Sequence, residues 1–423
     1  KTPMKIWHVL ILLTVVAQTE RLVAQADPLP GVLFETRSMR VPPNRIDKPI
    51  LAKLESLGIQ PAATCSDSVF VRRVYLDAIG TLPTSTEVRS FLEDDTPHKR
   101  RLLIDRLLDR EESADYWALK WGDVLRVKSE FPINLWPNAA QAYHRWVRSS
   151  IKANKPYDRF VREMLTSSGS NFRAPEVNFY RAVQGSDPQT IAAAVALTFM
   201  GARVENWPED RRSEMAVFFE GIRRKRTGEW KEEIIYVDLL DGGAAGGATH
   251  AVLPDGTRIA LPPHEDHRRA FADWLVRPEN PWFTGNVVNR IWSWLFGIGI
   301  VHEPDDIRRG NPPTNPELLA LLRRELVDAD FDLQHVYRLI LNSATYQRSC
   351  IPTTDRPEAE THFAHYPLRR LDAEVLIDAI CQITGTTETY SSLIPEPWTF
   401  IPGEERSICL ADGSVTSPFL DLF

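Results

Sequence analysis

Residues 45–61 read RIDKPILAKLESLGIQP. Ile46, Ile50, Leu51, Leu54 and Leu57 recur every three or four positions, which gathers their side chains on one face of an α-helix. Gly58 then offers a residue that reaches the left-handed conformation on which helices stop, and Pro61 confirms the stop. The device repeats outward from here. SDSVFVRRVYLDAIG (66–80) ends on Gly80. PTSTEVRSFLED (83–94) pairs Thr84 with Glu87 in a capping box, in which each side chain satisfies the other's backbone N–H. The segments at 97–109, 114–127, 138–154 and 156–165 keep the helical period, and no strand-like alternation interrupts residues 45–219.

The texture changes after Phe219. EEIIYVDLL (232–240) is β-branched, GGAAGG (242–247) is a flexible linker, and HAVLPDGTRIAL (250–261) predicts a hairpin with Asp255 and Gly256 at positive φ. Helical segments return at 265–276, 282–297, 315–330, 332–346 and 369–383, the third with Asn315 as N-cap and Pro316 in the first turn. Residues 385–423 read as loop and end on the apolar run SPFLDLF, which suggests truncation within a domain. The expected fold is mainly α, two helical domains joined by a small β-hairpin insertion. The expected organisation is a signal peptide at 1–26, a Pro-rich linker at 27–44, a helical domain at 45–227, the β insertion and Gly-rich linker at 228–262, and a second helical domain at 263–423.

The first segment carries Lys1 and Lys5, the apolar run IWHVLILLTVVA (6–17) and the small-residue pattern Ala24-Gln25-Ala26, the signature of a cleaved secretory leader. That run is short of the roughly 20 residues a membrane-spanning helix needs. An exported protein of the periplasm or cell surface, with no membrane span after removal of the leader, is expected. The net charge is −7, and losing residues 1–26 with Lys1, Lys5, Arg21 and Glu20 moves it to −9. An acidic chain is a poor nucleic-acid binder, because a basic face supplies most of that affinity. Cys65, Cys350, Cys381 and Cys409 are too dispersed for a C-x-x-C site. Two readings stay open, a Cys350–Cys381 or Cys381–Cys409 bridge and buried free thiols.

Taken together, RIDKPILAKLESLGIQPA (45–62), RRVYLDAIGTLPT (72–84), ADYWALKWGDVLRV (114–127), NKPYDRFVREML (154–165), the long stretch 268–319 and LILNSATYQRS (339–349) carry a resemblance. The chain resembles planctomycete-type secreted proteins built from a cytochrome-associated secreted domain followed by the planctomycete secreted domain one, both of unknown function. The resemblance implies a haem-attachment C-x-x-C-H motif in many members, some of them just after the counterpart of FMGARV (199–204). Here no Cys lies between Cys65 and Cys350 and no His between His144 and His250, so neither haem nor another cofactor is expected. Trp207 and Pro208 read instead as a corner between helices, with Glu209 and Asp210 at the positive end of the second.

The most chemical stretch is GIGIVHEPDDIRRGNPP (297–313). Its His302, Glu303, Asp305 and Asp306 are the candidate catalytic residues, able in principle to hold a hard cation or to supply an acid and a base, although Arg308 and Arg309 could pair with the acids. Asn289 and Arg290, with Arg308 and Arg309, are the candidate binding residues. Asn286, Asn289 and Ser293 form a polar stripe off the buried face of their helix, suited to tying down the acidic loop. Asp123 and Arg126 lie at i,i+3 and are expected to pair locally. His264 and His267 lack the third ligand of a zinc site, and no metal site is expected. The twelve tryptophans include a conceivable sugar-stacking platform, but helical spacing assigns nearly all of them to the core. The functional expectation is a haem-free binding or scaffold protein, with other exported or cytochrome-bearing proteins or a polysaccharide as partner. The alternative is a secreted hydrolase, on glycans, that uses the 297–313 acids.

Overall fold

The computed structural model describes residues 34–36, 41–240 and 249–423. The leader at 1–26, most of the 27–44 linker and the glycines of 242–247 lie outside the described residues.

Among the described residues, ten α-helices precede the strands that follow Phe219: α1 Asp47–Ser56, α2 Asp67–Ile79, α3 Ser85–Glu93, α4 Lys99–Leu108, α5 Glu111–Val124, α6 Pro137–Lys152, α7 Tyr157–Thr166, α8 Asn178–Ala182, α9 Pro188–Val195 and α10 Glu209–Ala216. Six follow them: α11 His267–Leu275, α12 Pro281–Phe296, α13 Pro316–Asp328, α14 Leu333–Leu341, α15 Pro357–Thr361 and α16 Ala373–Thr384. The fold is mainly α. Local chemistry sets the boundaries. Glu87 N–H donates to Thr84 Oγ1 at 3.2 Å while Thr84 N–H donates to Glu87 Oε2 at 2.7 Å, so both halves of the capping box form. Asn315 accepts from Leu318 N–H at 3.0 Å, with Pro316 as the first helical residue. Gly58, Gly80 and Gly297 all stand at positive φ, as helix stops require.

The strands among the described residues form three small antiparallel sheets. Within the linker, β1 (Glu35–Thr36) pairs with β2 (Thr64–Cys65), so that part of the segment is anchored. A second sheet has the order β3-β5-β4, with β3 Gly169–Ser170, β4 Ile222–Arg226 and β5 Glu233–Val237. The strands that follow Phe219 thus start at Ile222, ahead of the expected 228, and their sheet recruits two residues from among the helices. β4 reads IRRKR, and only Ile222 is buried, so its apolar signal is a single residue. The hairpin of β6 (His250–Val252) and β7 (Arg258–Ala260) forms as expected. Its turn differs in one respect: Gly256 alone has positive φ, and Asp255 instead accepts from Thr257 N–H at 2.8 Å and Trp274 Nε1–H at 2.7 Å.

The two helical halves close on one continuous apolar core running from Ile46 to Ile408. Trp117 of α5 packs on Tyr337 of α14, ring centroids 4.2 Å apart, and on Trp294 of α12 at 5.7 Å. Polar clasps cross the same boundary. Asp47 accepts from Thr345 N–H at 2.8 Å, Thr345 Oγ1–H at 2.6 Å and Ala344 N–H at 3.0 Å. Buried Arg73 donates to the carbonyls of Tyr346 and Arg348 at 2.7 and 2.8 Å. Asp77 is ion-paired with Arg369 and accepts from Tyr346 Oη–H at 2.7 Å and Tyr366 Oη–H at 2.9 Å. Each charge is therefore compensated where water is excluded. The 385–423 segment is loop, as expected, and folds back on the N-terminal half, where Asp412 accepts from Ser129 N–H at 3.0 Å. All four cysteines are free, which decides against the bridges and for free thiols, but only Cys65 is buried, its sulfur 3.9 Å from Arg100 Nη1, while Cys350, Cys381 and Cys409 are partly exposed.

Candidate functional site

α9 begins with Asp187 accepting from Thr190 N–H at 2.9 Å and Thr190 Oγ1–H at 2.6 Å. The helix then widens into a π-turn over Ala196–Met200, a device frequent at functional sites because it releases a carbonyl from the ladder. Thr198 C=O is met by Asn286 Nδ2–H at 3.0 Å and Arg290 Nη1–H at 2.9 Å. Gly201 reverses the chain at φ 58°, and a Cβ there would sit 2.7 Å from Asn286 Oδ1, so only glycine fits. The FMGARV crossing is thus a widened turn braced by α12, with Trp207 and Pro208 at the following corner, Glu209 and Asp210 in the first turn of α10, and Met215, Phe218 and Phe219 buried.

The 297–313 loop docks on this turn through Ile307 N–H, which donates to Gly201 C=O at 2.8 Å. Asn289 holds it from below, its amide exchanging bonds of 3.1 and 2.8 Å with the backbone C=O and N–H of Val301. Two members of the stripe expected to lie off the buried face are themselves buried, Asn286 and Asn289 at 0% exposed, and only Ser293 is partly exposed. Arg290 ion-pairs with Asp305, and Arg308 with Asp306 at 2.8 Å. Asn311 donates to the carbonyls of His302 and Asp306 at 2.6 and 2.9 Å. His302, Glu303 and Arg309 are exposed, with Glu303 at φ 58°. Among the described residues, no group of three His, Cys, Asp or Glu side chains could hold a metal ion. His264 and His267 face the carbonyls of Leu239 and Pro262 at 2.9 and 3.1 Å, while Asp266 caps α11 and pairs with Arg268 at 2.9 Å.

Between the π-turn and the loop opens a cleft of about 490 Å³. Ile133, Val183, Ala193, Ala194, Leu197 and Ala202 give it apolar walls, and Arg126, Gln184, Thr190, Arg203, Glu205 and Asp305 give it polar groups. Of the sequence candidates only Asp305 lines it. The expected Asp123–Arg126 pair does not form, because α5 ends at Val124 and Arg126 turns away at φ 58°. A left-handed non-glycine residue costs of order 1 kcal/mol and persists where the surroundings impose it. Here Val127 N–H reaching Gly122 C=O at 2.9 Å imposes it. The Arg126 guanidinium is half-buried and makes no hydrogen bond or ion pair with the described residues. Burial pulls its pKa below the usual arginine range, with Tyr143 and Asp305 opposing that from a distance. Arg203 and Glu205 are exposed at the rim. No local signal marks Arg126, since its role depends on where its helix ends.

A wider groove of about 770 Å³ beside α4 pairs its less exposed charges internally, with Asp67 holding Lys99 at 2.9 Å and Arg100 at 2.8 Å, and its Asp95 and Arg101 stand exposed to water. The Arg126 cleft is the candidate whose unmet charge is half-buried.

No curated protein and no solved structure matches the chain. Residues 45–216 match the family PSCyt2, a protein of unknown function (DUF1549), and residues 267–397 match PSD1, likewise of unknown function (DUF1553). The cleft takes Arg126, Gln184, Thr190, Arg203 and Glu205 from the first span and Asp305 from the second. The chain belongs to the proteins that carry PSCyt2 followed by PSD1.

Proposed function

We propose that the protein is a binding protein and that the Arg126 cleft takes a small oxyanion-bearing ligand, a carboxylate or a phosphate. One observation carries this reading. Arg126 is a half-buried cation on a left-handed residue, lining a cleft of about 490 Å³, without a partner among the described residues. A guanidinium that has lost water and gained nothing in return favours an oxyanion, whose two oxygens fit its fork. The volume lies in the range of small-molecule sites, and the apolar walls suit the ligand's carbon skeleton. Binding is favoured over hydrolysis because Asp305 and Asp306 are each held by an arginine, which suits them to fixing the loop rather than to moving protons. Among the described residues no helix is long and apolar enough to cross a membrane. The basic start, the short apolar run and Ala24-Gln25-Ala26 support export, and with it a ligand met outside the cytoplasm.

Titration calorimetry with inorganic phosphate and with citrate tests the proposal. Arg126→Ala should weaken whichever binds by about 10- to 100-fold, since a hydrogen bond to a charged group is worth roughly 1.5–3 kcal/mol. Arg309→Ala, on the exposed loop away from the cleft, should leave affinity unchanged. Equal affinity of wild type and Arg126→Ala would refute the reading.

A further inference from the structure

Three indoles meet at the surface beside the cleft. Trp136 stands between Trp230 and Trp398, with ring centroids 6.3 and 6.0 Å away and planes at 82° and 63°. They come from three separate segments, the loop before α6, the β4–β5 turn and the C-terminal loop. Trp230 is 68% exposed and Trp398 44%. Leaving so much indole in water forgoes hydrophobic free energy, and a cluster of this kind marks a binding surface. The backbone is held in the left-handed region at Trp136 (φ 72°) and at Lys231 (φ 61°), so the rings are presented at a conformational cost. Trp136 Nε1 is buried without a partner. The Lys231 ammonium lies 5.1 Å from the Trp136 centroid and 5.5 Å from that of Trp230, with no carboxylate on it.

The cluster and the cleft share one segment. Arg126 and Ile133 line the cleft, and Trp136 follows three residues on, at most about 11 Å away along an extended chain. A ligand seated at Arg126 and running along this segment reaches the indoles. It must offer an apolar face to the rings, oxygen acceptors to Lys231, and an anion to Arg126. A pyranose does the first two at once. Its C–H face carries slightly positive hydrogens that suit the negative face of an indole, and its rim is hydroxyl oxygen. Arg126, Arg203 and Lys231, without an ion-pair partner among the described residues, outnumber the exposed Glu205 at the rim and select an acidic sugar, although the chain as a whole carries −7.

We infer that cleft and cluster form a single site for an acidic glycan, with a sugar oxyanion (carboxylate or sulfate ester) on Arg126 and neighbouring pyranose rings on Trp230 and Trp398. This rests on the oxyanion reading of the cleft. The test is titration calorimetry of the whole chain with galacturonate, hexagalacturonate, a sulfated galactan hexamer and cellohexaose. One of the acidic hexamers should bind at least about tenfold more tightly than galacturonate, and cellohexaose weakly. Trp230→Ala and Trp398→Ala should each weaken the acidic hexamer by about tenfold or more while leaving galacturonate unchanged, as aromatic anchors of a site do. Arg126→Ala should weaken both. Hexamers that bind no more tightly than galacturonate, or that ignore both tryptophan variants, would overturn the inference and leave the cleft reading standing. Cellohexaose binding as well as the acidic hexamers, or acidic-hexamer binding insensitive to Arg126→Ala, would overturn the single acidic site. If no anion, phosphate included, responds to Arg126→Ala, the cleft reading fails and takes this one with it.

Discussion

Replacing Asn289 by alanine removes the clamp that fixes the 297–313 loop. The residue is fully buried and exchanges two hydrogen bonds with Val301, at 3.1 and 2.8 Å. Each such bond contributes about 1 kcal/mol net, and a buried donor or acceptor left without a partner costs about 1–3 kcal/mol. Val301 is itself 1% exposed, so water does not readily replace the lost amide. A loss of about 2–4 kcal/mol is therefore expected. Urea unfolding at pH 7 measures it, and it should appear as a lower midpoint at unchanged slope. Hydrogen exchange adds a local signature, with the Val301 and Ile307 amides losing protection before those of α6. Ligand affinity in the cleft should fall with it, because Asp305 sits on the released loop. A loss under about 1 kcal/mol with Val301 still protected would refute the clamp, since losing even one of the two bonds should cost about that much.

His144 on α6 is 6% exposed, its Nε2 has no partner, and burial lowers its pKa from 6.5 to about 4. The unfolded chain takes up this proton first, so the contribution of His144 is intact above pH 6.5 and lost as pH falls towards 4, at up to ~1.4 kcal/mol per unit and roughly 3 kcal/mol in all. The wild-type minus His144→Gln stability difference, measured from pH 7 to 4.5, should shrink accordingly, and a flat difference contradicts the assignment. Gly80→Ala forces a Cβ to 2.6 Å from the buried Tyr116 ring, whereas Gly385→Ala meets nothing within 4 Å although both sit at positive φ. Thermal unfolding should show about 1 kcal/mol lost at Gly385 from conformation alone and at least about twice that at Gly80. Asp47→Ala leaves two backbone N–H groups and the Thr345 hydroxyl of the C-terminal half without their acceptor, and a loss of about 3–5 kcal/mol in urea unfolding is expected.

The helices and their ends were legible because their causes are local. Thr84 and Glu87 are three residues apart, Asn315 adjoins its helix, and Gly58, Gly80 and Gly297 act through their own φ. Strand β4 was not legible, because a charged edge strand with one buried residue has no alternation to read. The 297–313 loop drew attention for its charges, and the structure places those charges partly on the arginines beside them. Arg126 reads as a local partner of Asp123, because i,i+3 spacing implies pairing if the helix continues, and here the helix ends two residues earlier. The indole cluster has the same origin: Trp136, Trp230 and Trp398 are distant in sequence, and helical periodicity carries no information on side chains that loops bring together.

The boundary between the PSCyt2 and PSD1 spans crosses the common core and its clasps, and this bears on inheritance. Asp47 with Thr345, Arg73 with Tyr346 and Asp77 with Arg369 work as three keys in three locks, each half of the chain holding one side of every pair. A first half joined to the second half of a relative must satisfy all three at once and also match indole to phenol where Trp117 meets Tyr337. Shuffling of the halves is thereby penalised, and the pair is constrained to travel through descent as one inherited unit.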